Sequence, residues 1–131
     1  MDKMMELTVH IENKPGTLAN LGEALAKAKV NVLAFAADEV GGVSRVRLTT
    51  DDPAKAKEVL AELNLQAAEA EVLAVVLKNK PGTLAKVAKK IASADININY
   101  SYSGAEEGSK KQLVVFALGD VKRAAKALKK S

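Results

Sequence analysis

Leu7, Val9 and Ile11 alternate with Thr8, His10 and Glu12, the two-residue period of a half-buried strand. A Pro15-Gly16 turn follows, and Leu18, Leu21, Leu25 and Ala28 then fall on one face of a helix. Val30 to Ala37 is a β-rich run, Gly41-Gly42 marks a hairpin, and Val43 to Thr50 alternates again, with Val46 and Leu48 against Arg45 and Arg47. Asp51-Asp52-Pro53 is a helix start, with a capping carboxylate and proline in the first turn. Ala56, Val59, Leu60 and Leu63 give that second helix its apolar stripe, and Leu65 to Glu71 is a short fourth strand.

The pattern then begins again. Asn13-Lys14-Pro15-Gly16-Thr17-Leu18-Ala19 recurs without change as Asn79-Lys80-Pro81-Gly82-Thr83-Leu84-Ala85, 66 positions later. The same offset carries Leu7, Val9 and Ile11 onto Leu73, Val75 and Leu77, and Asn31 onto Asn97. Two modules follow, 1–68 and 69–131, with no linker rich in Gly, Pro or Ser between them. The second reads Val72–Leu77, Leu84–Ala94, Ile96–Tyr102, Leu113–Leu118 and Val121–Lys130, and the chain stops before a fourth strand of its own. The order β-α-β-β-α-β with right-handed crossovers predicts an α+β fold: two ferredoxin-like modules in tandem, antiparallel sheets meeting edge to edge, helices on one face. Strand two is expected to neighbour strand one, and the last edge of the second module is either open or completed by another segment.

The turn carries the candidate chemistry. Proline fixes φ and removes a donor, and glycine lets a ligand approach the backbone. The helix that follows opens with unpaired N–H groups and partial positive charge, which suits a carboxylate. Asn13 and Asn79 precede the turn, and Asn31 and Asn97 open the second strand, each offering a donor and an acceptor. The same residues would also serve a plain αβ turn in which asparagine satisfies local backbone groups.

A strand, Asn-x-Pro-Gly-x-Leu, a helix, then Asn between β-branched residues resembles the ACT domain. It stands here twice, as Asn13–Leu18 with Val30-Asn31-Val32 and as Asn79–Leu84 with Ile96-Asn97-Ile98. The resemblance covers nearly the whole chain and is nearest to tandem ACT proteins without a catalytic domain. It implies an amino-acid sensor whose ligand sits between two modules, held by the Pro-Gly turn of one and strand two of its neighbour. The residues it assigns to the ligand are Asn13, Gly16, Thr17, Leu18 and Asn31, with Asn79, Gly82, Thr83, Leu84 and Asn97 in the second copy. Members that sense serine carry a histidine two residues before the motif asparagine. Ile11 and Leu77 stand there instead, which argues against serine.

Composition narrows the alternatives. Without cysteine there is no disulfide, thiolate nucleophile or cysteine metal site, and one histidine, His10, builds no metal cluster. Neither a metal nor a cofactor is expected. Ser44, His10 and Asp38 show no spacing that marks a catalytic set, so an enzyme is not expected. No apolar run approaches the ~20 residues of a membrane span. Met1–Glu6 has no signal-peptide pattern, so the cytoplasm is the expected compartment. The net charge of +4 is densest in Lys122-Arg123 and Lys126 to Lys130, read as a solvated helix face rather than a nucleic-acid patch. An RNA-binding module of this topology would carry aromatics on its central strands, and Arg45 and Arg47 have none beside them.

A partner surface is also expected. Aligning Asp51 with Asp120 turns Ala74, Val76, Val114, Phe116 and Leu118 onto the open sheet face of the second module, where the first carries Thr8, His10, Arg45, Arg47 and Thr49. An apolar sheet face predicts a homodimer built across it. Dimerisation without any ligand is the competing role.

Overall fold

A computed structural model describes residues 2–129, and of Asp2 only the backbone. Lys130, which falls in the basic run, lies outside the described residues. The elements are β1 (Asp2–Glu12), α1 (Thr17–Lys27), β2 (Val32–Val40), β3 (Val43–Thr50), α2 (Pro53–Glu62), β4 (Ala68–Lys78), α3 (Thr83–Ser93), β5 (Ile98–Gly104), β6 (Lys111–Leu118) and α4 (Val121–Lys129). They fold as two compact units, one of Met5–Ala70 and one of Met1–Met4 with Glu71–Ser131. The fold is α+β, with the βαββαβ pattern made twice.

In the N-terminal unit the strand order is β2-β3-β1-β4, the last place taken by Ala68–Ala70 at the start of β4. β3 pairs antiparallel with both β1 and β2, with Leu7 opposite Leu48 and Leu48 opposite Phe35. Leu7, Val9, Val46 and Leu48 are buried against Leu21 and Leu25 of α1 and Ala56, Val59 and Leu60 of α2. Gly41 and Gly42 both take positive φ, which is the two-residue hairpin whose twist matches that of the strands it joins.

In the C-terminal unit the order is β1-β4-β6-β5, with Asp2–Met4 of β1 at the edge. The strand that the second repeat lacks is thus supplied by the first residues of the chain. Units placed at 1–68 and 69–131 differ from these in two ways. Asp2–Met4 change sides, and the expected strands Leu65 to Glu71 and Val72–Leu77 give way to the single eleven-residue strand β4, which begins at Ala68.

The helices close in the same manner. After α1, α2 and α3 come the C-caps Ala28, Leu63 and Ala94, and the residue beyond each, Lys29, Asn64 and Asp95, is in the left-handed region. The N–H groups of Val30, Leu65 and Ile96 then reach back to the carbonyls of Leu25, Leu60 and Ile91. This is the Schellman arrangement, with an apolar residue tucked under the helix end.

The dimer face expected from sequence does not stand. Leu73 pairs with Phe116, so Val114, Phe116 and Leu118 join Leu73, Val75 and Leu77 in the core beneath α3 and α4, Phe116 at 1% exposure. Ala74 is also buried, and only Val76, 56% exposed, is on the surface. The reason is a slip of one residue. The cap of α2 is Asp52, not Asp51, so Leu48 corresponds to Phe116, and in a strand one position inverts the face. On the sheet face away from the helices, Leu113, Val115 and Ala117 stand where the first unit has Arg45, Arg47 and Thr49, and Val115, Ala117 and Thr49 are buried, so these positions do not form an open face.

Candidate functional site

The four helices begin in two ways. Asp52 accepts a hydrogen bond from the Lys55 N–H at 3.1 Å and Asp120 one from the Arg123 N–H at 3.0 Å, so α2 and α4 are capped by carboxylates. α1 and α3 follow Gly16 and Gly82, both at φ +92°, with no side-chain cap and no acid in the first turn. The Thr17 and Thr83 N–H groups close the turn on the Lys14 and Lys80 carbonyls, each at 3.4 Å. This leaves the next N–H groups, Leu18 and Ala19 in α1 and Leu84 and Ala85 in α3, with the positive end of the helix dipole, open to an anion from outside. The turn is held by its own groups: the Thr17 hydroxyl donates to the carbonyl of Glu12 at 2.7 Å or of Lys14 at 3.0 Å. Lys14 pairs with Glu12 at 2.9 Å.

In the N-terminal unit Asn13 is exposed beside Gly16, and Leu18, 44% exposed, leads into an apolar groove. That groove, of about 260 Å³, runs between α1 and β2 and is lined by Leu21, Gly22, Leu25, Val32, Phe35 and Leu48 as well as Leu18. Phe35 is 54% exposed. Asn31 is elsewhere. Its N–H donates to the Asp51 carboxylate at 2.9 Å and its carbonyl accepts from the Asp51 N–H at 3.0 Å. Strand two does not neighbour strand one as the sequence suggested, because β3 lies between them. The register places Asn31 level with the Glu6 end of β1 while the turn follows Glu12, six strand residues or about 20 Å away. One unit therefore does not bring Asn13 and Asn31 together.

In the C-terminal unit Gly82, Thr83 and Leu84 repeat the turn, and Leu84 is 56% exposed. Asn79 differs from Asn13. Its side-chain amide donates to the Ser109 carbonyl at 2.9 Å and its N–H to the Lys110 carbonyl at 2.9 Å. Asn97 lies at the far end, its amide donating to Asn99 Oδ1 at 3.1 Å. Asn97 and Asn99 line a polar recess of about 250 Å³ with Asp95, Ile96, Gly119, Asp120 and Arg123, and Asn79 is not part of it. The Arg123 guanidinium caps the carbonyls of Ala94 and Asp95 at the end of α3.

The groove residues Gly22 and Phe35 are not singled out by the sequence, and their one signal is that Phe35 is the aromatic residue of β2. On the neighbouring strand pair Arg45 donates to both oxygens of Asp38, at 3.3 and 2.8 Å. This hydrogen bond, with the charges of Arg45 and Arg47, outweighs desolvation and holds the Asp38 carboxyl below its ordinary range. Among the described residues no three His, Cys, Asp or Glu side chains are grouped to hold a metal ion, and no helix is long and apolar enough to cross a membrane.

Two ferredoxin-like units, each with a first helix that lacks a side-chain cap behind a Pro-Gly turn, make a tandem of one repeated module. The chain belongs to the ACT domain pair family, whose model matches residues 2–130. Modules of this family are regulatory rather than catalytic. Among solved structures, a protein from Bacteroides thetaiotaomicron is similar at 28% identity and TM-score 0.88, over 97% of this chain and 87% of that one. The regulatory subunit of aspartate kinase from Thermus thermophilus, in ligand-free form, is 20% identical at TM-score 0.73, over 98% and 92%. Its Thermus flavus counterpart is 21% identical at TM-score 0.67, over 98% and 92%. No curated protein matches the chain.

Proposed function

We propose that the chain is a non-catalytic sensor that binds a free amino acid, or a similar small carboxylate, at the Pro-Gly turns. The observation that carries this is the difference between the helix starts. Where the chain needs only a stable helix, at α2 and α4, it supplies an aspartate cap. At α1 and α3 it supplies none, and behind the two left-handed glycines the N–H groups that follow Thr17 and Thr83 are left without a capping side chain. A ligand carboxylate completes those ends as a capping side chain would.

A second copy of the chain is the natural source of the missing asparagine. β2 is the outer strand of its unit and runs parallel to β1, so it starts at the end remote from the turn. Antiparallel pairing of two β2 edges about a two-fold axis sets the partner's Asn31 near the level of Gly16. The exposed Leu18, Leu33 and Phe35 along this edge favour such a contact. The solved neighbours named as regulatory subunits of aspartate kinase have a similar fold, in keeping with a module that acts on another protein's activity.

The test is a thermal-shift screen of the twenty amino acids. One or a few are expected to raise the melting temperature. At 100 times Kd the stabilisation is about 2.7 kcal/mol, a rise on the order of 10 °C for a chain of this size. If none shifts the melt at 10 mM, the sensor reading fails, and a ligand-free dimerisation scaffold using the β2 edge takes its place.

A further inference from the structure

Charge is divided unevenly between the two units. By sequence, Met5–Ala70 holds seven Lys and Arg against ten Asp and Glu, and the remaining residues hold thirteen against six. The division is sharpest in the helices. α1 and α2 balance Lys27, Lys55 and Lys57 with Glu23, Glu58 and Glu62. α3 carries Lys86, Lys89 and Lys90 and no acid; α4 carries Lys122, Arg123, Lys126 and Lys129 and no acid.

α3 and α4 pack side by side within one unit. Their apolar stripes, with Ile91 on one and Val121 and Ala124 on the other, face the core. The lysines are thereby turned outward. Lys86 and Lys89 are one turn apart on α3, and Lys122, Lys126 and Lys129 follow at i, i+4 and i+7 on α4, so neighbouring charges are about 5–6 Å apart at Cβ. All five are exposed, and none has an acidic partner among the described residues. In the other unit Lys14, Arg45 and Lys57 each have one.

We infer that the outer surface of α3 and α4 is a binding face for the phosphate backbone of nucleic acid, without sequence preference. Three features favour this over other anions. The exposed positions beside these lysines are Ala85, Ala92 and Ser93, with Leu84 at the first turn of α3, so there is no apolar centre of the kind a protein partner needs. Against an acidic protein the lysines would form only exposed ion pairs, which contribute little. The same surface offers one large apolar side chain, Leu84, where insertion into a bilayer needs an apolar face. Duplex nucleic acid rewards such a surface through release of condensed counterions, which needs neither apolar contact nor paired geometry. No aromatic lies on either helix to stack a base, hence no sequence reading.

The experiment is fluorescence anisotropy with a labelled 20-base-pair DNA duplex between 50 and 200 mM NaCl. Wild type is expected to bind at 50 mM, with log K falling against log salt at a slope near −4.5, about five phosphates neutralised. Lys122→Gln/Lys126→Gln/Lys129→Gln is expected to weaken binding at least tenfold and flatten the slope by about 2.7. Lys27→Gln/Lys55→Gln in the balanced unit is expected to change neither. Glutamine keeps helix propensity, and a melting curve of each variant separates lost binding from lost folding. The inference is overturned if wild type does not bind at 50 mM, or if the α4 variant binds as wild type does. It is also overturned if polyglutamate of equal charge, or vesicles with 30% anionic lipid, bind as tightly as the duplex.

Discussion

The turn Asn-Lys-Pro-Gly-Thr-Leu-Ala occurs twice, with the same residues and nearly the same backbone, ψ −17° at Gly16 and −19° at Gly82. Its leading asparagine nevertheless does different things. Both are exposed, but Asn79 is fastened to the β5–β6 connection through Ser109 and Lys110, whereas the Asn13 side chain has no such bond among the described residues. The cause lies outside the motif. β2 and β3 are joined by Gly41-Gly42, a tight hairpin. β5 and β6 are joined by 105–110, a longer loop that reaches back to the turn. Local sequence sets the backbone of the turn; the length of a loop some thirty residues away sets whether its side chain is available. The N-terminal turn is the open copy and the C-terminal turn the tied one.

The largest expected effect tests whether the two units correspond as their registers say. Phe116 and Leu48 occupy equivalent core positions. Phe116→Ala should cost about 3–5 kcal/mol and Leu48→Ala about 2–5 kcal/mol in urea unfolding. A loss under about 1 kcal/mol for either would place that side chain outside the core.

Next come the glycines. A methyl group at Gly16 or Gly82 meets nothing within 4 Å, so the cost of alanine is backbone strain alone. Each substitution should destabilise by about 1–2 kcal/mol, and by nearly the same amount, because the strain is local to the turn. Unequal values would show that the loop at 105–110 supports the second turn more than its hydrogen bonds indicate.

The asparagines should then separate. Asn79→Ala removes a hydrogen bond and should cost about 1 kcal/mol, while Asn13→Ala should be within about 0.5 kcal/mol of wild type. In calorimetry with a stabilising amino acid, Asn13→Ala should be the more damaging of the two. Equal effects on stability would mean that Asn13 is also tied.

The smallest effect concerns Asp38, on the unit with the paired charges. Its carboxyl is held below its ordinary range by the Arg45 hydrogen bond first, and by the nearby arginine charges. A depressed folded pKa gives stability that is present above the ordinary carboxylate value and lost as pH falls through that range. Since the group is exposed, the effect is small and screened by salt. Melting curves from pH 7 to pH 3 should show slightly less acid sensitivity in Asp38→Asn than in wild type; an unchanged profile would count against the pairing.

Much of this was legible in the residues. The alternation at Leu7–Ile11, the stripe on α1, the Gly41-Gly42 hairpin and the 66-residue repeat each follow from a single periodicity or turn rule. The sequence is ambiguous where two residues compete for one role. Asp51 and Asp52 are both competent caps, and an alignment on Asp51 slips β6 by one and turns Phe116 outward, whereas the cap is Asp52 and Phe116 is core. Nothing local says that β3 inserts between β1 and β2, so Asn13 and Asn31 were expected as neighbours when they stand at opposite ends of the unit. Asp2–Met4 carry no alternation that announces a strand, yet they complete the second unit's sheet.

The central claim, that the uncapped start of α1 holds a ligand carboxylate, is tested most directly by amide NMR of isotope-labelled protein during titration with the amino acid that most raises the melting temperature. The N–H resonances of Thr17, Leu18 and Ala19 are predicted to move first and furthest, ahead of those of Thr83, Leu84 and Ala85, while the capped starts at Lys55 and Arg123 stay in place. Saturable shifts confined to other residues, with Thr17 to Ala19 unmoved, would contradict it.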